Sequence, residues 1–338
     1  MKTSKKIFLL SINIFIIILV LSCSKKQNKI HETQSHTQQK QTDLEINVHQ
    51  SSLNKKFKKC YVTFDPDGCE GNHLFKVFIQ NNTNSNYYWG FNIAREQNLS
   101  DKVYSDQYRI INCKEFIYNG KKMLPTGSTL LDSGESEFTY KRIGASNPTG
   151  GFHGREKFTE ISFFTDGNLL NDITTEFEMR GCETFTYIQK SIIYRDDYSH
   201  TEDAAHLKIT KFSDSGYLTK NTITAKVVIP INTCFGSLVS FSLDVAEKGS
   251  ASNHEKVVIF NQDGNRKLEG YCDMLSVWND SKKLSANIES MFSIYNDYAT
   301  QCIWDHRYYG KYYRYFQNIS LNKGESWSFE TKVTFNKL

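Results

Sequence analysis

Three groups of residues have the types and spacing for chemistry. His153 and Glu156 sit with Arg155 on the glycine-flanked stretch Gly150-Gly151-Phe152-His153-Gly154-Arg155-Glu156. An imidazole and a carboxylate so placed can form an acid/base pair at the mouth of a cleft, with Arg155 offsetting a substrate carboxylate. The competing reading is that His153 only satisfies backbone groups at a tight turn. Tyr194, Arg195, His200 and His206 bracket a polar loop, residues 196–203. Tyrosine, histidine and arginine together suit β-elimination of a uronic acid: arginine offsets the carboxylate and a base takes the C5 proton. A solvated acidic loop is the alternative. His153, Tyr194 and His206 are thus the catalytic candidates. Trp304-Asp305-His306-Arg307 and the tyrosine-rich run that follows, including Tyr309, make the third group. Flat rings stack on the C–H faces of sugars, while Asp and Arg bind hydroxyls. Here the alternative is tyrosines filling a core, since alternation turns only about half of them outward. Arg155, Glu156, Trp304, Asp305, His306, Arg307 and Tyr309 are the binding candidates.

Other chemistries lack their signatures. There is no GxxxxGK[ST], no GxSxG and no HExxH, so the common P-loop nucleotidases, α/β-hydrolases and zinc proteases are not indicated. No CxxC spacing marks a zinc site, and no metal or cofactor is expected. Eight cysteines occur. Cys60 and Cys69 flank a turn-like Asp65-Pro66-Asp67-Gly68, which allows a local disulfide between them; buried free thiols are an equal alternative.

The elements that must position these groups read as strands. Aromatics are 14% of 338 residues and proline only four, which favours β structure with broad apolar surfaces. Strands are expected at 61–64, 73–80, 108–112, 115–118, 136–143, 185–194, 205–212, 218–231, 238–245, 268–278, 308–316 and 326–335. Asn119-Gly120 and Asp214-Ser215-Gly216 read as hairpin turns. No amphipathic helix of more than about three turns is expected. The fold class is mostly β, a large antiparallel β-sandwich of supersandwich size over 132–338. Residues 55–131 form an N-terminal β region that could be a small subdomain.

The N-terminus carries an address. Lys2, Lys5 and Lys6 precede an apolar run, Ile7 to Leu21, that ends in Ser22-Cys23. The run falls short of the ~20 apolar residues that a spanning helix needs. It resembles the lipobox of a bacterial lipoprotein. That resemblance implies a signal peptide over 1–22, acylation of Cys23, and a lipid bilayer as partner in an extracytoplasmic envelope. Removing 1–22 takes away three lysines and no acids, so the net charge falls from +4 to +1. Residues 23–54 are polar and lysine-rich, a disordered tether by composition. Their positive excess lies where anionic headgroups would be and gives no reason to expect nucleic acid.

The order of features from Gly134-Glu135 through GGFHGREKFTEISFFTDGNLL, Gln189-Lys190-Ser191, His206 and the Asp-Ser-Gly hairpin resembles large β-sandwich proteins of the galactose-mutarotase/polysaccharide-lyase type, uncharacterised phage and bacterial ones included. The terminal Lys323-Gly324-Glu325-Ser326-Trp327 turn and strand is similar too. The resemblance rests on order and implies fold more than function. The leading expectation is a membrane-anchored protein that binds a glycan without catalysis. A lyase or epimerase is the second, and a structural surface protein the third.

Overall fold

The computed structural model describes residues 57–338, apart from 70–71, 83, 133–135, 172, 253–255, 271, 273 and 293–298. The leader, Cys23 and the tether therefore lie outside the described residues, as does Gly134-Glu135. Residues 57–338 form one compact unit.

In chain order the strands are β1 (Cys60–Cys69), β2 (Asn72–Asn81), β3 (Asn84–Asn98), β4 (Ser105–Tyr118), β5 (Met123–Asp132), β6 (Glu137–Arg142) and β7 (Glu156–Thr165). There follow β8 (Asn168–Leu169), β9 (Phe177–Cys182), β10 (Phe185–Tyr194), β11 (Glu202–Ser213), β12 (Gly216–Ala225), β13 (Ile229–Ser242) and β14 (Lys248–Ala251). The last are β15 (Val258–Ile259), β16 (Arg266–Gly270), β17 (Met274–Asn279), β18 (Leu284–Phe292), β19 (Ala299–Asp305), β20 (Tyr309–Leu321) and β21 (Ser326–Lys337). Among the described residues the only helical element is a 3-10 turn, Gly151–His153.

Two broad antiparallel layers result. One runs β9-β1-β2-β3-β4-β5 and continues through β13, β20, β19 and β16, with β6 also on β13. The other runs β8-β7-β10-β11-β12-β21-β18-β17-β14-β15. A single parallel pair, Asp106 with Lys157, joins them through β4 and β7, so the ladder nearly closes. The expected sandwich is thus present, and β1–β5 are a continuous part of its first layer. Rings from the two layers meet in the middle: Phe75 with Phe163 at 4.4 Å and Phe91 with Phe212 at 5.0 Å. Offset aromatic pairs of this kind add about 0.5–1.5 kcal/mol each beyond area burial.

The core is split. The larger cluster holds Tyr187, Phe212, Tyr217, Tyr312 and Val333; a second holds Ile193, Ala204, Ile223, Phe316 and Phe329. Between them, at the same level on strand after strand, the inward positions are polar and buried: Gln189 and Ser191, His206 and Lys208, Asn221, Thr331, Arg314. Strand alternation puts these side chains inside. Their burial is tolerable because they hydrogen-bond one another and nearby carbonyls.

Some strand expectations needed adjusting. The run 108–118 is one strand, β4, because its ladder with β3 continues through Asn112–Lys114. The run 218–231 is two, since the chain crosses from one layer to the other at Lys226-Val227-Val228 and leaves Val228 exposed. Residues 268–278 also divide, into β16 and β17. Asp65–Gly68 is not an end of β1; the strand passes through it with an irregular register. That places Cys60 and Cys69 at opposite ends of β1, each opposite a different residue, Ile79 and Asn72. At ~3.3 Å per residue they lie too far apart for the local disulfide.

Candidate functional site

The glycine-rich loop is held in an unusual backbone path. Gly150, Gly151, Gly154 and Arg155 all have positive φ, at 92°, 53°, 79° and 57°. Only glycine adopts such angles cheaply. A Cβ on Gly154 would lie 2.5 Å from the Val103 carbonyl oxygen. The path is pinned from below. Gly151 N–H donates to Glu156 Oε2 at 2.9 Å, and Phe152 N–H to Glu137 Oε2 at 2.6 Å. Gln107 Nε2 donates to the Gly151 carbonyl at 2.6 Å. The product is a rigid turn that presents Phe152 and His153 to solvent while Glu137, Glu156 and Gln107 are buried beneath it.

Glu156 and His206 do come together, but inside. His206 Nδ1 lies 2.8 Å from Glu156 Oε1, and Nε2 lies 2.9 Å from Asn221 Oδ1. Both ring nitrogens are thus engaged by side-chain oxygens. Ser191 Oγ donates to Glu156 Oε1 at 2.5 Å, and Asn221 Nδ2 to the Ser136 carbonyl at 3.0 Å. Burial opposes ionisation of Glu156, yet His206, Lys208 and the Ser191 hydroxyl outweigh it and hold the carboxyl at about 2. His206 is 4% exposed and Glu156 1%. This pair braces the loop and faces no solvent.

Tyr194 lies on the other side of its sheet. On β10, Ser191 and Ile193 point inward and Tyr194 outward. Its ring packs 5.2 Å from that of Tyr104, against which the His200 ring lies tilted at 3.9 Å. The three catalytic candidates therefore do not share a cleft: His153 is on the loop, His206 in the interior and Tyr194 on an outer face. Arg155 is also committed. Its Nη2 donates to the Asp101 carbonyl, and its guanidinium lies 4.4 Å over the Tyr198 ring.

The third group forms an outer face beside the loop. Along β20, Tyr312, Arg314 and Phe316 are inward, so Tyr309, Lys311, Tyr313 and Tyr315 turn outward. Tyr313 and Tyr315 cluster with Phe235, Leu238 and Trp304. Lys311 Nζ lies 4.7 Å over Tyr309 and 5.4 Å over Trp304. His306 stacks on Tyr309 at 4.4 Å. Tyr308 is 49% exposed and Phe152 47%. Arg307 is exposed and lies over Tyr308.

Electrostatics tie this face to the loop. His153 is surface-exposed; the crowding of its ring, then the Lys311 and Arg109 cations, hold its imidazole below the usual value. Burial lowers Lys311, and Glu137 partly restores it. Burial and then the Asp132 and Glu137 carboxylates push the Tyr309 phenol up to about 12. Burial also raises Asp132, against Lys114. The fork where β5 and β6 both meet β13 brings these two carboxylates to one edge: Leu131 faces Phe241 and Glu137 faces Leu238.

Asp305 differs from expectation. It is fully buried, accepting from Asn261 N–H at 2.7 Å and Asp263 N–H at 3.3 Å, with Lys267 Nζ at 3.5 Å. It organises the 261–267 loop and cannot reach a ligand hydroxyl. Trp304 helps it, donating Nε1–H to the Gly264 carbonyl at 2.9 Å. Tyr308 belongs to the tyrosine run that the sequence offers; Phe152, Lys311, Asp132 and Glu137 are not among its candidates. The tyrosine run pointed to the neighbourhood of Lys311; nothing local marked the two carboxylates. A shallow depression of about 170 Å³ by Lys59, Asn82 and Asp214 lies at other turns and gathers no such chemistry.

No protein-family model matches the sequence, and no curated protein matches it. Solved structures with a similar fold include a galactose mutarotase-like protein from Clostridium acetobutylicum (9% identity, 78% of this chain and 96% of that one, TM-score 0.39). Others are the Slr1438 protein from Synechocystis (6%, 74% and 92%, TM-score 0.36) and an alpha-N-acetylgalactosaminidase from Bifidobacterium bifidum (11%, 67% and 33%, TM-score 0.39). At these values the likeness carries no argument about activity.

Proposed function

We propose that this chain is a lipid-anchored envelope protein that binds a glycan on the face made by Phe152, His153, Trp304, Tyr308, Tyr309 and Lys311. The observation that carries this reading is the exposure of Phe152 and Tyr308 beside half-buried Trp304, His306 and Tyr309, with an ammonium among them. Rings of this kind stack on sugar C–H faces, and Lys311 and His153 supply polar contacts to hydroxyl or carboxylate oxygens. Binding without catalysis is the favoured form, because His153, Tyr194 and His206 occupy separate places. Anchoring rests on the leader and Cys23, whose resemblance to a lipobox motivates it. Calorimetric titration of the full-length chain with neutral and uronic envelope polysaccharides tests the reading. Saturable heat with one class is the expected result; none with any class removes the glycan and leaves a protein partner.

A further inference from the structure

We infer that Cys60 and Cys182 are a disulfide site, closed when the chain folds under oxidising conditions, stapling strand β9 to β1. In the structure both are thiols. They stand directly opposite each other in the antiparallel register of β1 and β9. Directly opposite residues have Cα atoms about 4.5–5.5 Å apart, inside the ~4.4–6.8 Å range of disulfides. Both side chains lie on the same face, in the larger core, 0% and 3% exposed. The two side chains are in hydrogen-bonding contact.

The register here is fixed by neighbours rather than by the cysteines. Lys59 and Glu183, one residue beyond the adjoining ends of the two strands, pair at 3.7 Å. Asp166 Oδ1 accepts from Glu183 N–H at 2.7 Å and Thr184 N–H at 2.9 Å, closing the end of β9. Phe64 faces Phe177 at the other end. Among the described residues β9 pairs only with β1, so it is an edge strand. Covalent attachment at its end therefore secures an element that backbone pairing holds on one side alone. Cys113 faces Phe91 and Leu131, and Cys234 faces Tyr140 and Phe316, so neither has a cysteine opposite it in register.

The chemistry is thiol–disulfide exchange with an oxidant of the disulfide class, such as a protein dithiol oxidase or oxidised glutathione. One cysteine thiolate attacks the oxidant's S–S bond, forming a mixed disulfide and releasing one oxidant thiol. The second cysteine attacks the mixed disulfide, forming the Cys60–Cys182 bond and releasing the other. Two protons and two electrons leave the protein, and the oxidant departs as two thiols. Burial, then Cys182, Asp166 and Glu183, disfavour the Cys60 thiolate in the folded chain. Exchange thus belongs to folding, or to moments when β9 opens.

The test is to refold the full-length chain with oxidised and reduced glutathione, quench in acid, alkylate, and map peptides without reduction. The expected result is one cross-linked peptide pair containing Cys60 and Cys182, lighter by two hydrogens than the reduced pair. Reducing the bond should lower Tm by about 5–10 °C, and Cys182→Ala should abolish that sensitivity to reductant. Alkylation of both residues in the oxidised sample, or a bond from Cys60 to any other cysteine, overturns the inference. The wild-type map decides the matter if the variant does not fold.

Discussion

Glu156 carries charge where the sandwich is dry, and its neighbours make that tenable. Replacing it by Gln keeps the shape but leaves His206 and Lys208 without their anion. Breaking a buried pair costs about 3 kcal/mol, so Glu156→Gln should lose that much at neutral pH in urea unfolding. The pH dependence has a definite sign. The folded carboxyl is held at about 2, below its ordinary value of 4.5, so the stability it contributes is full above 4.5 and fades as pH falls towards 2. Wild type should weaken across that window, and the variant should change less; equal slopes would contradict the assigned pair. At this scale the sequence was informative about residue type and poor on role. His206 and Glu156 are reactive residues fifty positions apart, on β11 and β7, and only the β7–β10–β11 ladder shows that they brace each other. Asp305 likewise has the type of a ligand contact, but its carboxylate is taken up by two backbone N–H donors and the Lys267 ammonium, all remote in sequence.

At the scale of elements, the loop 150–156 shows how far glycine spacing can be read. GGFHG announces a sharp turn, and the four positive φ values bear that out. Which carboxylates hold it was not legible, because Glu137 and Glu156 come from different strands. A paired substitution separates backbone strain from crowding. Gly144 has φ of 81° with nothing within 4 Å of an added Cβ, while Gly154 has φ of 79° and the Val103 carbonyl at 2.5 Å. Gly144→Ala should cost about 1 kcal/mol, the left-handed penalty alone. Gly154→Ala should cost about 2–3 kcal/mol, since the Val103 backbone must also move. Thermal melts of the two variants check this; equal losses would mean that the loop yields freely. Hairpins were legible where turn chemistry was strong, at Asn119-Gly120 and Asp214–Gly216, whereas the crossing from one layer to the other at Lys226–Val228 was illegible, hidden between two apolar runs.

For the whole molecule, aromatic content and alternation were enough to indicate a large antiparallel sandwich. The order of strands was not, because β13 joins β5, β6 and β20, strands remote from it in sequence on both sides. The polar belt between two cores was equally hidden: it needs the level of each residue across the layers. The envelope address makes a separate prediction at this scale. The native chain should partition with membranes and carry diacylglycerol on Cys23, and Cys23→Ser should release it or leave the leader uncleaved; fractionation and mass spectrometry report both. The central claim is that the face beside the loop binds sugar. It is tested most directly by probing one glycan array with the wild-type full-length chain and with Phe152→Ala/Tyr308→Ala. Losing two stacking rings, each worth about 0.5–1.5 kcal/mol, should weaken the strongest wild-type signals about tenfold or more while leaving Tm unchanged. Wild type silent across the array, or a variant that binds as well as wild type, would contradict the account.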